Sequence, residues 1–177
     1  MKITNEQAEY LLTIPKKILE DEVLLKKKTI DQQFPFSARF ELLSETDVEF
    51  CFLWVINQST KNRFHISLHY QENDSKIGLL RIDFNHGHEN PKSISEHVPE
   101  KFRPYVGKIF NYDEHHIHYH VQGYRSLVWA IPLTIDKFEI KELDNGADLN
   151  ATFANIIKLF AKTVNIKTEI FVNELLV

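Results

Sequence analysis

The sequence predicts an α+β fold: a mainly antiparallel sheet of about five to seven strands, flanked by an N-terminal helix or helix pair and a C-terminal amphipathic helix. Three observations predict it. Apolar residues recur at helical spacing near both ends of the chain, and with a period of two through its middle. Clusters of turn-forming residues punctuate the period-two region. A length of 177 residues, against a prior of about 150 per domain, allows one domain spanning 1–177.

Taken in order, Thr4 and Gln7 form a capping box, and Tyr10, Leu11, Ile14, Ile18, Leu19 and Val23 recur at helical spacing. Pro15 interrupts this pattern, so two short helices are expected, the second running from Pro15 toward Lys26-Lys27-Lys28, a basic run that suits a helix C-terminus. From Phe34 the period becomes two. Val48 to Ile56 is apolar on both faces and reads as a central strand, followed by a turn over residues 57–62. Phe64, Ile66, Leu68 and Tyr70 then alternate with Arg63, His65, Ser67 and His69, which predicts one core face and one polar face. After a turn at Asn73-Asp74-Ser75, the next strand carries Gly78, Leu80, Ile82 and Phe84 on one side and Arg81 and Asp83 on the other. Residues 86–114 form a long loop insertion without a convincing strand, with room for a short helix near Lys101 to Phe110. His115 to Val121 and Leu127 to Leu133 read as a hairpin. Asp148 is placed to cap a helix whose Leu149, Phe153, Ile156, Ile157, Phe160 and Val164 make one apolar stripe, and an extended tail follows.

Composition narrows the function. Hydrophobic residues at 43%, with 13 Phe, exclude intrinsic disorder. A formal charge of -4 argues against gripping nucleic acid by bulk charge, though a local basic patch remains compatible with it. A single cysteine, Cys51, forms neither an internal disulfide nor a cysteine zinc cluster, and it fits the reducing cytoplasm. It falls in the most apolar strand, where a buried small hydrophobe is expected rather than a nucleophile. No stretch approaches the roughly 18 apolar residues of a membrane span, so no membrane association is expected.

The unusual feature is nine histidines beside five glycines. On a strand, alternate side chains share a face, so His116, His118 and His120 are expected to project together toward Arg81 and Asp83, with His65 and His69 nearby. Three chemistries use such a row. A divalent metal needs two strand histidines and a third ligand, His88 or Asp83; the ligand set favoured by the sequence is His88, His116 and His118. Phosphodiester cleavage of RNA or a nucleotide uses one histidine as base and another as acid, with His116 or His118 as the general acid/base, Arg81 stabilising charge and Asp83 orienting an imidazole. The third option, nucleophilic attack by histidine, rests on a resemblance. His116-Ile117-His118-Tyr119-His120-Val121 resembles the signature of the histidine-triad nucleotide hydrolases and transferases, which implies His118 as nucleophile, although Gln122 stands where that signature has an apolar residue.

A wider pattern runs through the C-terminal half: Leu79-Leu80-Arg81-Ile82-Asp83, His88-Glu89-Asn90-Pro91, His116-Ile117-His118-Tyr119, Gly123-Tyr124 and Trp129-Ala130-Ile131-Pro132-Leu133. It resembles a family of small uncharacterised bacterial proteins with an Arg-Xaa-Asp strand, a His-Xaa-Asn-Pro loop and a His-Xaa-His-Xaa-Tyr strand. The resemblance selects Arg81, Asp83, His88, His116 and His118 as site residues and implies no reaction. The function expected is phosphodiester hydrolysis on RNA or a nucleotide. The alternatives are a module that binds a protein partner without catalysis, and a metal-dependent or metal-binding protein.

Overall fold

The computed structural model describes residues 3–32, 35–47, 49–60, 62–73, 75–133 and 149–174. The chain opens with α1 (Asn5–Thr13), closed at its start by the reciprocal Thr4–Gln7 capping box. The second helix of the expected pair is instead a hairpin. After Pro15 the chain enters β1 (Lys16–Glu20) and returns as β2 (Val23–Leu24), with Asp21 and Glu22 at φ of 48° and 63°, the two left-handed positions of a type I′ turn. Ile14, Ile18, Leu19 and Val23 satisfy a helical spacing on paper, but the burial that decides the matter alternates, Lys16 and Ile18 inward and Lys17 and Leu19 half out. β3 (Lys27–Gln32) follows, so the lysine run enters a strand rather than ending a helix. There Lys28 pairs with Glu20 at 2.7 Å and Lys27 with Glu169 at 3.3 Å.

β4 (Phe36–Ser44), β5 (Cys51–Thr60), β6 (Arg63–Glu72) and β7 (Ser75–Phe84) form an antiparallel meander. β5 extends through Thr60, so strand occupies most of the expected turn. The loop after β7 contains β8 (His88–Glu89), a 3-10 helix (Glu100–Tyr105) and β9 (Ile109–Phe110), with β8 and β9 pairing where no strand was expected. The expected hairpin is β10 (His116–Tyr119) and β11 (Trp129–Pro132). α2 (Leu149–Thr163) and β12 (Glu169–Glu174) complete the chain, β12 lying parallel to β3. The Asp148 cap and the Leu149 side chain fall outside the described residues.

The main sheet has eight strands, one more than the expected range, in the order β11-β10-β7-β6-β5-β4-β1-β2. The extra strands are those of the β1–β2 hairpin, where a helix was expected. One face is mostly apolar, with Trp54, Ile56, Ile66, Leu68, Leu80, Ile82, Ile117 and Trp129 all buried. α2 supplies the complementary stripe: Phe153, Ile156, Ile157, Phe160 and Val164 are buried, and the Phe153 ring meets Phe64 at 4.6 Å and Phe36 at 6.2 Å. Fully burying side chains of this size contributes about 1.5–3 kcal/mol each, which fixes the register of the strands and therefore the positions of whatever projects from the other face. β7 carries a bulge where the pairing steps from Leu68–Leu80 to His69–Gly78. Gly78 is required there, because an added Cβ would sit 2.5 Å from Leu127 and Ser126 side-chain atoms.

Lys16 ties both helices to this frame. Its amine is fully buried and donates to Leu12 O at 3.1 Å, Ile14 O at 2.7 Å and Val164 O at 2.9 Å, above the Phe52 ring. Burial pushes the amine down to about 7. Lys16→Met fills the space but leaves three carbonyls unserved, so we expect it to lower unfolding free energy by about 3 kcal/mol in urea titrations. An unchanged midpoint would show that those carbonyls find other donors.

Candidate functional site

The histidines, Arg81 and Asp83 stand on the face opposite the core, and sheet register brings them together. β10 pairs with β7 so that His116 lies opposite Asp83 and His118 opposite Arg81; β6 pairs with β7 so that His65 lies opposite Asp83 and Ser67 opposite Arg81. Because side chains alternate along each strand, all six point to one face.

At the centre is Asp83, 4% exposed. Arg81 grips it with a fork: Nη2 donates to Oδ2 at 2.8 Å, and Nε lies 2.8 Å from Oδ1. His118, fully buried, places Nε2 2.9 Å from Arg81 Nη2 and 3.1 Å from Asp83 Oδ2. A guanidinium only donates and a carboxylate only accepts, so Nε2 of one tautomer serves one of these neighbours and opposes the other. His116, also fully buried, donates from Nδ1 to Glu114 O at 2.8 Å. Its Nε2 has no hydrogen-bond partner and lies 3.6 Å from Asp83 Oδ2. A buried ring nitrogen without a partner beside a buried carboxylate is a place where a shared proton or a cation is favoured.

Burial alone would raise the Asp83 carboxyl, but the imidazoles of His116 and His118 and the charge of Arg81 reverse this and hold it below the usual carboxylate range. Burial lowers His118 to about 3 and His69 to about 4, and it also lowers His65, His86 and His88. At neutral pH these rings are neutral, suited to accepting a proton or binding a metal rather than donating a proton.

His88 arrives from the loop. Its ring lies 4.5 Å from that of His118 and 5.7 Å from that of His116, beneath which the Phe110 ring packs at 4.6 Å from His116. Its Nε2 donates to Val128 O at 2.9 Å and to Asn90 Oδ1 at 3.1 Å, leaving the Nδ1 lone pair. The five residues selected from sequence thus converge. His120 does not join them: it lies past the end of β10 and contacts Ile3 O at 3.1 Å, so the expected row of three imidazoles is a pair.

A family model described as a family of unknown function (DUF6978) matches residues 3–166. The chain belongs to this family. No curated protein and no solved structure matches it. In this DUF6978 member the group with metal-ligating atoms close enough to share an ion is, among the described residues, Asp83, His116 and His118, whose atoms lie within 4.8 Å of one another. The sequence offers His88 or Asp83 as the third ligand beside His116 and His118; His88 Nε2 bonds the Val128 carbonyl and Asn90, and its Nδ1 is left open.

Asn90, which with Pro91 is placed by the sequence to fix the loop's path near the sheet edge, has backbone partners that the sequence does not name, and Ser67 is read there only as part of the polar face. Asn90, 1% exposed, bonds both backbone groups of Ala130, accepting from N at 2.9 Å and donating to O at 2.8 Å, and also donates to Tyr105 O at 2.9 Å. It acts as one residue of an extra strand on the outer edge of β11, and so docks the loop carrying His88 over the site. An Asn before a proline signals a fixed loop path, but its bonding partner forty residues away has no local signature. Ser67, 3% exposed, lies 3.0 Å from His69 Nε2. The thiol of Cys51, expected to be buried, is half-buried at the start of β5 and lines a cavity of about 590 Å³ with Glu41, Glu49 and Glu72. The residues lining it include no histidine, and its carboxylates repel an anionic substrate. No helix among the described residues is long and apolar enough to cross a membrane.

Proposed function

We propose that this protein hydrolyses phosphodiester bonds in RNA or a nucleotide at the face formed by Arg81, Asp83, His88, His116 and His118. The observation that carries the reading is a partly exposed guanidinium held against neutral imidazoles: His118 Nε2 lies 2.9 Å from Arg81 Nη2, whose side chain is 31% exposed. Arg81 supplies the cation that a phosphate needs in its charged transition state. His88, with its Nδ1 lone pair, takes the proton of the attacking hydroxyl as the new P–O bond forms, and the imidazolium so formed gives that proton, through water, to the leaving oxygen as its P–O bond breaks, while Asp83 orients His118. A formal charge of -4 suits a short substrate held at this one cationic point rather than a long duplex. The unpaired Cys51 fits a reducing bacterial cytoplasm.

The second reading is a divalent-metal centre, favoured by the buried His116 Nε2, which has no hydrogen-bond partner and is directed at Asp83 Oδ2. A Zn²⁺ or similar ion with ligands at about 2.0–2.1 Å sets tetrahedral ligand atoms about 3.4 Å apart, against 3.1 and 3.6 Å from Asp83 Oδ2 to the two Nε2 atoms. The backbone bond of His116 Nδ1 is the partner a metal-binding imidazole ordinarily has.

A fluorescent single-stranded RNA oligonucleotide, incubated with tag-free protein in chelator and then in added Mn²⁺ or Zn²⁺, tests both. Cleavage reduced by about 100-fold or more in His88→Ala and His118→Ala is expected. Its occurrence in chelator separates acid–base chemistry from the metal reading. A folded wild-type protein inert in every condition would sink the hydrolase and leave a protein-binding module, which predicts that His118→Ala keeps its effect in cells.

A further inference from the structure

Arg81 does two incompatible jobs. Its Nη2 sits 2.8 Å from Asp83 Oδ2 and 2.9 Å from His118 Nε2, within bonding reach of two of the three atoms that form the candidate ligand set. The guanidinium therefore stands where a metal cation's charge would stand, and it neutralises the same carboxylate. Meanwhile the third atom, His116 Nε2, is fully buried, has no hydrogen-bond partner, and is directed at Asp83 beyond the reach of the fork. An arginine satisfies two ligands of this site and leaves the third orphaned, whereas a metal ion satisfies all three.

The arginine also has somewhere to go. Its side chain is 31% exposed, and on the β6 side it is flanked by Ser67, directly opposite in register, with His65 and His69 two residues away on the same face. A guanidinium turned toward that side would present its planar N–H edge to solvent among neutral donors and acceptors, which is the setting for bidentate capture of a phosphate.

We propose that a divalent first-row cation and the Arg81 guanidinium exchange at Asp83. The ion takes Asp83 Oδ2, His116 Nε2 and His118 Nε2; Arg81, released, turns onto the open face and becomes the group that binds a substrate phosphate beside the metal. The metal-free arrangement is then a self-neutralised resting state, and phosphate affinity depends on metal. This rests on the metal-centre reading and adds to it a ligand class, a phosphate ester, and a mode of control.

Co²⁺ is a suitable probe because its visible absorption reports ligation directly. Tag-free wild type, Arg81→Ala, Arg81→Gln and His116→Ala are titrated with Co²⁺ alone, and each Co²⁺ form is then titrated with 5′-AMP. Removing the competing cation is expected to tighten Co²⁺ binding by about 10-fold or more in Arg81→Ala, while His116→Ala loses it. The Co²⁺-loaded wild type is expected to bind 5′-AMP about 10-fold or more tightly than Co²⁺-loaded Arg81→Ala, and more tightly than the metal-free wild type. Arg81→Gln keeps an amide to cover Asp83 if the alanine variant does not fold, and is expected to shift Co²⁺ affinity in the same direction. Equal Co²⁺ affinity in wild type and the folded Arg81 variants overturns the exchange while leaving the metal centre standing. Co²⁺ bound by none of them removes the metal centre and the exchange together. Phosphate affinity that ignores metal in the wild type overturns the coupling.

Discussion

Taking the metal-free protein from about pH 7.5 to about pH 5 is expected to cost roughly 4 kcal/mol of folding stability, a large part of the 5–15 kcal/mol typical of a domain. Burial lowers seven histidines, namely His65, His69, His86, His88, His115, His118 and His120, below the ordinary value near 6.5. Each takes up its proton at a lower pH in the folded chain than in the unfolded one. Protons therefore favour the unfolded state, and stability falls as pH drops from about 6.5 toward each folded value. For His118, lowered to about 3, and His69, lowered to about 4, the window between pH 6.5 and 5 contributes roughly 2 kcal/mol each. Asp83 does not reverse this. Its carboxyl is held below the usual range, so its contribution, present above the ordinary carboxylate value, is lost only in stronger acid. Urea titrations at the two pH values in chelator measure the loss directly, and His69→Gln should remove roughly 2 kcal/mol of it. Equal stability at both values would mean that these rings are more hydrated than their burial implies.

Period-two alternation made the polar face legible. Arg63, His65, Ser67 and His69 on one strand, and Arg81 and Asp83 on the next, were separable from Phe64, Ile66, Leu80 and Ile82 in the core by counting residues alone, because consecutive strands of the meander pair antiparallel across short turns. For the same reason the stripe from Phe153 to Val164 identified α2. What failed had no local signature. Ile14, Ile18 and Val23 fit a helix as well as a hairpin, and only the long-range pairing of Lys16–Leu19 with Glu41–Ser44 and the three carbonyls around the Lys16 amine select the strand. His120 shares a face with His118 on paper, but the strand ends at Tyr119 and the ring turns to Ile3 O. Of the two third ligands the sequence offers, His88 and Asp83, it is Asp83 whose ligand atom lies within 4.8 Å of those of His116 and His118, a distance that strand spacing alone does not show.

Asn90→Ala is expected to lower unfolding free energy by roughly 4 kcal/mol, more than any exposed polar substitution on this face. The side chain makes four hydrogen bonds: two with the backbone of Ala130, one to Tyr105 O, and one received from His88. Alanine leaves the buried N–H and C=O of Ala130 without partners on an edge strand, each costing about 1–3 kcal/mol, and it frees the loop bearing His88 and Phe110 from the sheet. Asn90→Asp separates the two sides of the amide. The carboxylate still accepts from Ala130 N and His88, but it cannot donate to Ala130 O or Tyr105 O, and it brings an unpaired charge into a position only 1% exposed. Aspartate should therefore be no better tolerated than alanine. Urea midpoints compare the variants, and hydrogen exchange at the Ala130 amide reports the edge itself, where protection should fall in Asn90→Ala. Protection retained there would show that β11 is held by β10 alone, and that the His-Xaa-Asn-Pro segment positions His88 without holding the sheet edge.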